Sequence, residues 1–247
     1  MKRVWLNLQF YPAFFLFSLV AIPALALSVA ALAPFIGHRR AMRRFRRAIS
    51  WYGWVVINVL PFPLVRVRYE DAGGELPPGG ALVVCNHRST SDPFLMACLP
   101  REYVQIVNDW PFRLPVLGFF ARCAGYLSVK EMPVDEFYAR AGRLLADGVG
   151  LIAFPEGTRS ASRNVGPFHS SVFRLALQRQ VPIVPVCIIG NERIPLRGTG
   201  WLDPGVIRVR KLPAILPDEY RAWSPFQLKA RVRDRIVAEL AAVEGAA

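Results

Sequence analysis

Val83-Val84-Cys85-Asn86-His87-Arg88-Ser89-Thr90-Ser91-Asp92-Pro93 decides the fold. Its apolar start, without alternation, reads as a buried strand. Its polar middle is a loop, and Ser91-Asp92-Pro93 opens a helix, with Asp92 as N-cap and Pro93 at the first helical position. A polar cluster where a strand ends and a helix begins is where open α/β sheets commonly place ligands. The His–x4–Asp spacing lets the loop fold back, so that the Asp92 carboxylate receives the His87 ring N–H. That contact fixes the tautomer and stabilises the imidazolium when the other nitrogen takes a proton. Taken alone, His87 is equally a satisfied loop histidine.

Short β-rich runs recur outward from this stretch: Leu64–Tyr69, Ala81–Cys85, Tyr103–Val107, Gly125–Lys130, Gly150–Phe154, Ile183–Ile189 and Val206–Leu212. Helical patterns lie between several of them, at 93–99, 113–123, 135–147 and 169–179, and Ser224-Pro225 starts a last helix. Its apolar stripe is Leu228, Val232, Ile236, Leu240 and Val243. Strands alternating with helices predict an α/β domain around one mixed sheet of about seven strands, flanked by helices. Pro185, inside the run Ile183–Ile189, predicts an edge strand or a bulge.

A second strand-end cluster is Leu151-Ile152-Ala153-Phe154-Pro155-Glu156-Gly157-Thr158-Arg159-Ser160. Arg159 offers a planar fork suited to phosphate, and Gly157 lets backbone approach a ligand closely. Glu156 is placed to orient Arg159 or to hydrogen-bond a substrate. The plain alternative is a surface turn with an internal ion pair.

The first sixty residues differ in kind. Phe10 to Gly37 is 28 residues without a charge, about 42 Å as a helix against a hydrocarbon core of about 30 Å. Pro23 divides it into halves too short to span alone, so the run predicts either one tilted, kinked span or a helical hairpin dipping into one leaflet. Lys2, Arg3 and Ala24-Leu25-Ala26 imitate a signal peptide. However, the apolar run continues past Ala26 into Arg39, Arg40, Arg43, Arg44, Arg46 and Arg47. Those six arginines hold the following chain in the cytoplasm, so the segment reads as a retained anchor with the rest on the cytoplasmic face of the cell membrane. Met42, Phe45, Ile49, Tyr52 and Val56 recur at helical steps, with Trp51 and Trp54 beside them. The pattern is that of an amphipathic helix on anionic headgroups, or a solvated charge run flanking the anchor. Pro61-Phe62-Pro63 closes this segment, giving residues 1–60 as anchor and basic helix and 61–247 as a catalytic domain.

Composition agrees. Hydrophobic residues are 53% of 247, which excludes disorder, and the formal charge of +13 points to a polyanionic partner. The anchor ahead of the basic patch favours an anionic leaflet surface over nucleic acid. Cys85, Cys98, Cys123 and Cys187 form no CxxC pair and read as reduced core thiols rather than a disulfide framework or a zinc site.

With both clusters in hand, the chain resembles the lysophospholipid and glycerol-3-phosphate acyltransferase family. Asn86-His87-Arg88-Ser89-Thr90-Ser91-Asp92 looks like its NHx4D block, Phe154-Pro155-Glu156-Gly157-Thr158-Arg159-Ser160 matches its FPEGTRS block, and Val181–Val186 resembles its VPI-V-PV block. The resemblance implies transfer of a fatty acyl group from acyl-CoA or acyl carrier protein to a hydroxyl of a lysophospholipid. The acceptor implied is 1-acylglycerol 3-phosphate, and no metal or cofactor is involved. It implies His87 as general base, Asp92 as its orienting group, and Lys130, Glu156, Gly157, Thr158 and Arg159 as substrate-binding residues. An oxyanion site is expected from backbone N–H groups near the helix at Pro93. Gly125-Tyr126-Leu127-Ser128-Val129-Lys130 departs from the family by placing lysine where an arginine usually stands, which keeps the charge and loses the bidentate fork. Asn108-Asp109, where many relatives carry lysine, and His169 in the stretch after Arg159 also bear on the acceptor. Other readings are the same chemistry on glycerol 3-phosphate, an ornithine-type lysolipid or a polyene-type product, a silent membrane-binding relative, and a hydrolase.

Overall fold

All seven apolar runs become strands of one sheet. The structure, a computed structural model, describes residues 1–113, 115–160 and 164–245. In chain order the elements are α1 (Lys2–Ile36), α2 (His38–Trp54), a π-turn (Val55–Val59), β1 (Val65–Asp71), β2 (Leu82–Cys85), α3 (Asp92–Ala97) and β3 (Tyr103–Val107). They continue with α4 (Trp110–Arg113), α5 (Pro115–Cys123), β4 (Leu127–Ser128), α6 (Val134–Ala146), β5 (Gly150–Ala153) and α7 (Ser171–Arg179). The last four are β6 (Ile183–Ile189), β7 (Gly205–Lys211), α8 (Pro217–Tyr220) and α9 (Pro225–Gly245).

The sheet order is β1-β7-β6-β2-β5-β3-β4. Every pair is parallel except β6–β7, so the sheet is mixed. β2 and β5 sit centrally and are buried along their whole length, which is why their sequences lack alternation. Leu82 and Val84 face one core with α6, α7 and α9, whereas Val83 and Cys85 face a second with α3 and the start of α1. Leu228, Val232, Ile236 and Leu240 of α9 are buried, as their spacing predicts.

The structure corrects four expectations. β6 is an interior strand, between β7 and β2, not an edge. Pro185 is tolerated because the antiparallel ladder shifts beside it. The β6–β7 pairing starts at Val186↔Lys211, and the next bridge is Ile183↔Ile215, so the partner chain has one residue more than β6 there: a bulge. The run 125–130 shortens to a two-residue edge strand after a turn at Gly125. The cap of α3 is Ser91, with Asp92 the first helical residue, and the Asp92 carboxylate turns back to the loop.

The fourth concerns the N-terminus. α1 is a continuous helix of 35 residues with Pro12, Pro23 and Pro34 inside it, so Pro23 makes neither a break nor a hairpin. The reversal comes at Gly37 (φ 74°), where α2 folds back along α1. Phe17 stacks on Tyr52 (centroids 5.4 Å apart), and Ser18 Oγ lies 2.8 Å from the Tyr52 hydroxyl. The start of α1 packs into the sheet: Leu6 is fully buried, and the Asn7 amide exchanges two hydrogen bonds with the Leu202 backbone (2.8 and 2.9 Å).

The arginines of α2 divide into two helical stripes. Arg39, Arg43 and Arg46 face the sheet domain, with Arg46 2.6 Å and Arg43 3.5 Å from Glu102 and Arg39 3.5 Å from Asp147. Arg40, Arg44 and Arg47 are exposed.

Candidate active site

The loop after β2 is fastened at both ends. Asn86, fully buried, exchanges two hydrogen bonds with the Ile188 backbone of β6 (2.9 and 2.8 Å). The Asp92 carboxylate, also fully buried, gathers the loop around itself. Its Oδ2 accepts from Arg88 N–H (2.8 Å) and Ser89 N–H (3.0 Å) and lies 2.7 Å from His87 Nδ1. With two backbone N–H groups already donating to it, Oδ2 is placed to accept from His87 Nδ1–H. His87 lines a cavity of about 1630 Å³ and packs on the Phe154 ring (centroids 4.7 Å apart), which leaves Nε2 as the nitrogen for substrate.

The loop after β5 is tied to the first. Glu156, 6% exposed, accepts His87 N–H on Oε1 and Gly166 N–H on Oε2, both at 2.8 Å. Ser160 N–H donates to the His87 carbonyl (2.8 Å). Both oxygens are engaged by backbone, no bond to Arg159 is seen among the described residues, and Glu156 lines the cavity. Gly157 has φ 69°, and a Cβ there would come within 3.1 Å of the His169 ring, so the turn requires glycine.

The cavity joins two chemistries. Ile22 and Leu25 of α1 and Phe45, Ile49 and Tyr52 of α2 give it an apolar side; Lys130, Arg159 and Arg174 give it a cationic one, with His169 beside them. His87, Lys130, Glu156, Gly157, Thr158 and Arg159 all line this one cavity, and Asp92 stands behind His87. Tyr126 lines it too, and burial pushes its phenol up to about 12, so it remains a hydrogen-bond donor at neutral pH. Burial, with the Asp92 carboxylate nearby, pushes the Cys85 thiol well up, so it is not a nucleophile here.

Residues 67–189 match the acyltransferase family. The chain carries an acyltransferase-family domain. It is 30% identical over 175 residues to a chloroplastic 1-acyl-sn-glycerol-3-phosphate acyltransferase of Brassica napus, covering 69% of this chain and 50% of that one. With the human 1-acyl-sn-glycerol-3-phosphate acyltransferase beta it is 28% identical over 197 residues, 78% of this chain and 71% of the other. This chain spans about half the length of the Brassica relative and of a similar Arabidopsis thaliana one. Its fold is that of the crystal structure of the 1-acyl-sn-glycerophosphate acyltransferase PlsC from Thermotoga maritima. The TM-score is 0.80 at 21% identity, over 99% of this chain and 98% of that one.

Just past the residues that match the acyltransferase family, sequence reasoning missed the third strand end. After β6 come Gly190, Asn191 and Glu192. Gly190 has φ 81°, and a Cβ there would meet the Val206 carbonyl oxygen at 2.5 Å. Asn191, fully buried, donates its side-chain amide to Asp92 Oδ1. Arg88, 2% exposed at its side chain, bonds Glu192 (3.1 Å) and Glu244 of α9, and Ser89 Oγ donates to the Ile194 carbonyl (3.0 Å). The usable signal was an apolar run ending in polar residues, as at the other two strand ends.

Most backbone N–H groups ahead of α3 are engaged within the loop, and Thr90, on the cavity wall, stands apart from these bonds. Arg88 and Ser89 N–H groups serve Asp92, Ser91 N–H serves Ser89 Oγ, Asp92 N–H serves the Ser89 carbonyl, and Phe94 N–H serves the Ser91 carbonyl.

Proposed function

We propose that the protein is a membrane-associated O-acyltransferase that moves a fatty acyl group from acyl-CoA or acyl carrier protein to the free hydroxyl of 1-acylglycerol 3-phosphate, giving phosphatidic acid. The carrying observation is His87: Nδ1 is held at 2.7 Å by a buried carboxylate while the ring lines a cavity with apolar and cationic sides. An acyl chain fits the apolar side, and a phosphate monoester fits Lys130 and Arg159.

His87 Nε2 takes the acceptor's hydroxyl proton as its oxygen attacks the thioester carbonyl. The new C–O bond gives a tetrahedral intermediate, and Asp92 stabilises the imidazolium. Collapse breaks the C–S bond, and the imidazolium returns its proton to the departing thiolate. No acyl-enzyme is needed. Ser89 Oγ is 2% exposed and bonded to Ile194, and Cys85 is a neutral core thiol.

The anchor supports the same reading. The best window of α1 has a mean hydropathy of 2.4, and Phe15, Leu16 and Leu19 are exposed along it. Embedded in the cytoplasmic side of the cell membrane, α1 brings the cavity wall at Ile22 and Leu25 to the lipid, and Arg40, Arg44 and Arg47 face anionic headgroups.

The test is acyl transfer by detergent-purified protein with labelled acyl-CoA or acyl carrier protein and a panel of glycerophosphate acceptors, His87→Ala alongside. Diacyl product from the native protein and none from the variant supports the reading. Thioester hydrolysis without acceptor would make the protein a hydrolase.

A further inference from the structure

We infer that Asn191 is a positioning residue for acyl transfer, the third member of a buried chain running His87–Asp92–Asn191. The inference rests on the reading of His87 as general base.

Asp92 is fully buried, and its two oxygens are served unequally. Oδ2 has the His87 ring and the Arg88 and Ser89 N–H groups, whereas the partner found for Oδ1 is the Asn191 side-chain amide. Without Asn191, one oxygen of a fully desolvated carboxylate would lack a donor. The carboxylate would then be free to turn about its Cβ–Cγ bond, away from Nδ1.

The orientation of Asn191 argues that this bond is its purpose. Its own Oδ1 is buried with no hydrogen-bond partner. A core asparagine kept only for packing would be poorly chosen, since an orphaned amide oxygen is unfavourable there. Reversing the amide would set two oxygens against each other. The backbone is fitted to the same end: Gly190, at φ 81° against the Val206 carbonyl, turns the chain so that Asn191 reaches across beneath the loop. β6 itself holds Asn86, and the loop after it holds Ser89 and Arg88, so Asn191 is carried on the segment that fixes the rest of the His87 loop.

An asparagine here also suits the chemistry better than a charged donor. It keeps Asp92 hydrogen-bonded without neutralising it, so the carboxylate's charge remains available to the imidazolium that forms during transfer.

The experiment measures kcat, KM and the melting midpoint in detergent for Asn191→Leu and the isosteric Asn191→Asp, with Asn191→Leu repeated on an Asp92→Ala background. The expected result is a fall in kcat of about 10- to 100-fold for Asn191→Leu, the size of one hydrogen bond to a charged group, with KM for acceptor unchanged. Asn191→Asp, which sets a second carboxylate against Asp92, should fall at least as far although its volume is conserved. On the Asp92→Ala background the leucine variant should cost almost nothing further, because Asn191 acts through Asp92.

Equal losses on both backgrounds, an effect on KM alone, or native kcat in Asn191→Asp would overturn the inference. If Asn191→Leu melts too low to assay, the aspartate variant decides. His87→Ala separates the two levels. A dead His87→Ala beside fully active Asn191 variants removes only this inference, and an active His87→Ala removes the general-base reading itself.

Discussion

Glu156→Gln is the sharpest structural perturbation because it changes one atom. Each carboxylate oxygen of Glu156 accepts a backbone N–H at 2.8 Å, from His87 on one side and Gly166 on the other, and the residue is 6% exposed. Glutamine presents an NH2 to one of these donors. That loses a charge-assisted bond of about 1.5–3 kcal/mol and leaves a buried N–H unpaired at about 1–3 kcal/mol. For a chain of this size about 2–4 °C of melting temperature goes with each kcal/mol, so the sum corresponds to a fall of about 5–24 °C. Released from Glu156, the His87 backbone shifts, and kcat falls with it, whereas KM for the acceptor stays within about twofold because no acceptor contact is lost. The assay is a thermal melt in detergent alongside steady-state acyl transfer. An unchanged midpoint with KM raised about tenfold would refute the reasoning and return Glu156 to the acceptor.

The two ends of α1 should respond oppositely. Leu6→Ala, at a site with 0% exposure, should cost about 2–5 kcal/mol and lower the melting midpoint. Replacing the exposed Phe15, Leu16 and Leu19 by glutamine should release the protein from sedimented membranes with the midpoint unchanged. Melts and sedimentation check this, and retention of the glutamine variant in high salt would contradict it. Glu70 gives a pH dependence. A bidentate Arg208 (2.7 and 2.9 Å), with Arg210 adding, holds its carboxyl below the usual carboxylate range. Its contribution is present above the unfolded value of about 4.3 and is lost as pH falls through the folded one. Glu70→Gln should therefore melt lower than the native chain at neutral pH and converge with it in acid, as melts across pH would show.

The strands were legible because each is a short apolar run whose composition answers to its own burial. The mixed sheet of β1 to β7 therefore matches the expectation almost residue for residue. Of the two settings Pro185 predicts, the bulge is the one found, and its extra residue lies on the partner chain between Lys211 and Ile215, where no local pattern shows it. Pro23 left a single span and a hairpin open, and α1 runs on as one helix to a reversal at Gly37, where a positive φ is affordable. Within the site, His87 and Asp92 were visible because they are close in sequence. Glu156 was seen, but its bonds to the His87 and Gly166 amides were not, since no side-chain pattern reveals a backbone partner. Asn191 and Glu244 were invisible because they lie about 100 and 150 residues from the loop they hold. The half of the α2 arginines that pairs with Glu102 and Asp147 was hidden in a run that reads uniformly basic.

The most direct measurement is acyl transfer to 1-acylglycerol 3-phosphate by the native protein and His87→Ala, at matched amounts and matched melting midpoints. The account predicts labelled phosphatidic acid from the native chain and a rate lower by about 10²–10⁴ in the variant. Comparable product from both would contradict the account, because among the described residues no other base on the cavity wall is held by a buried carboxylate as His87 is.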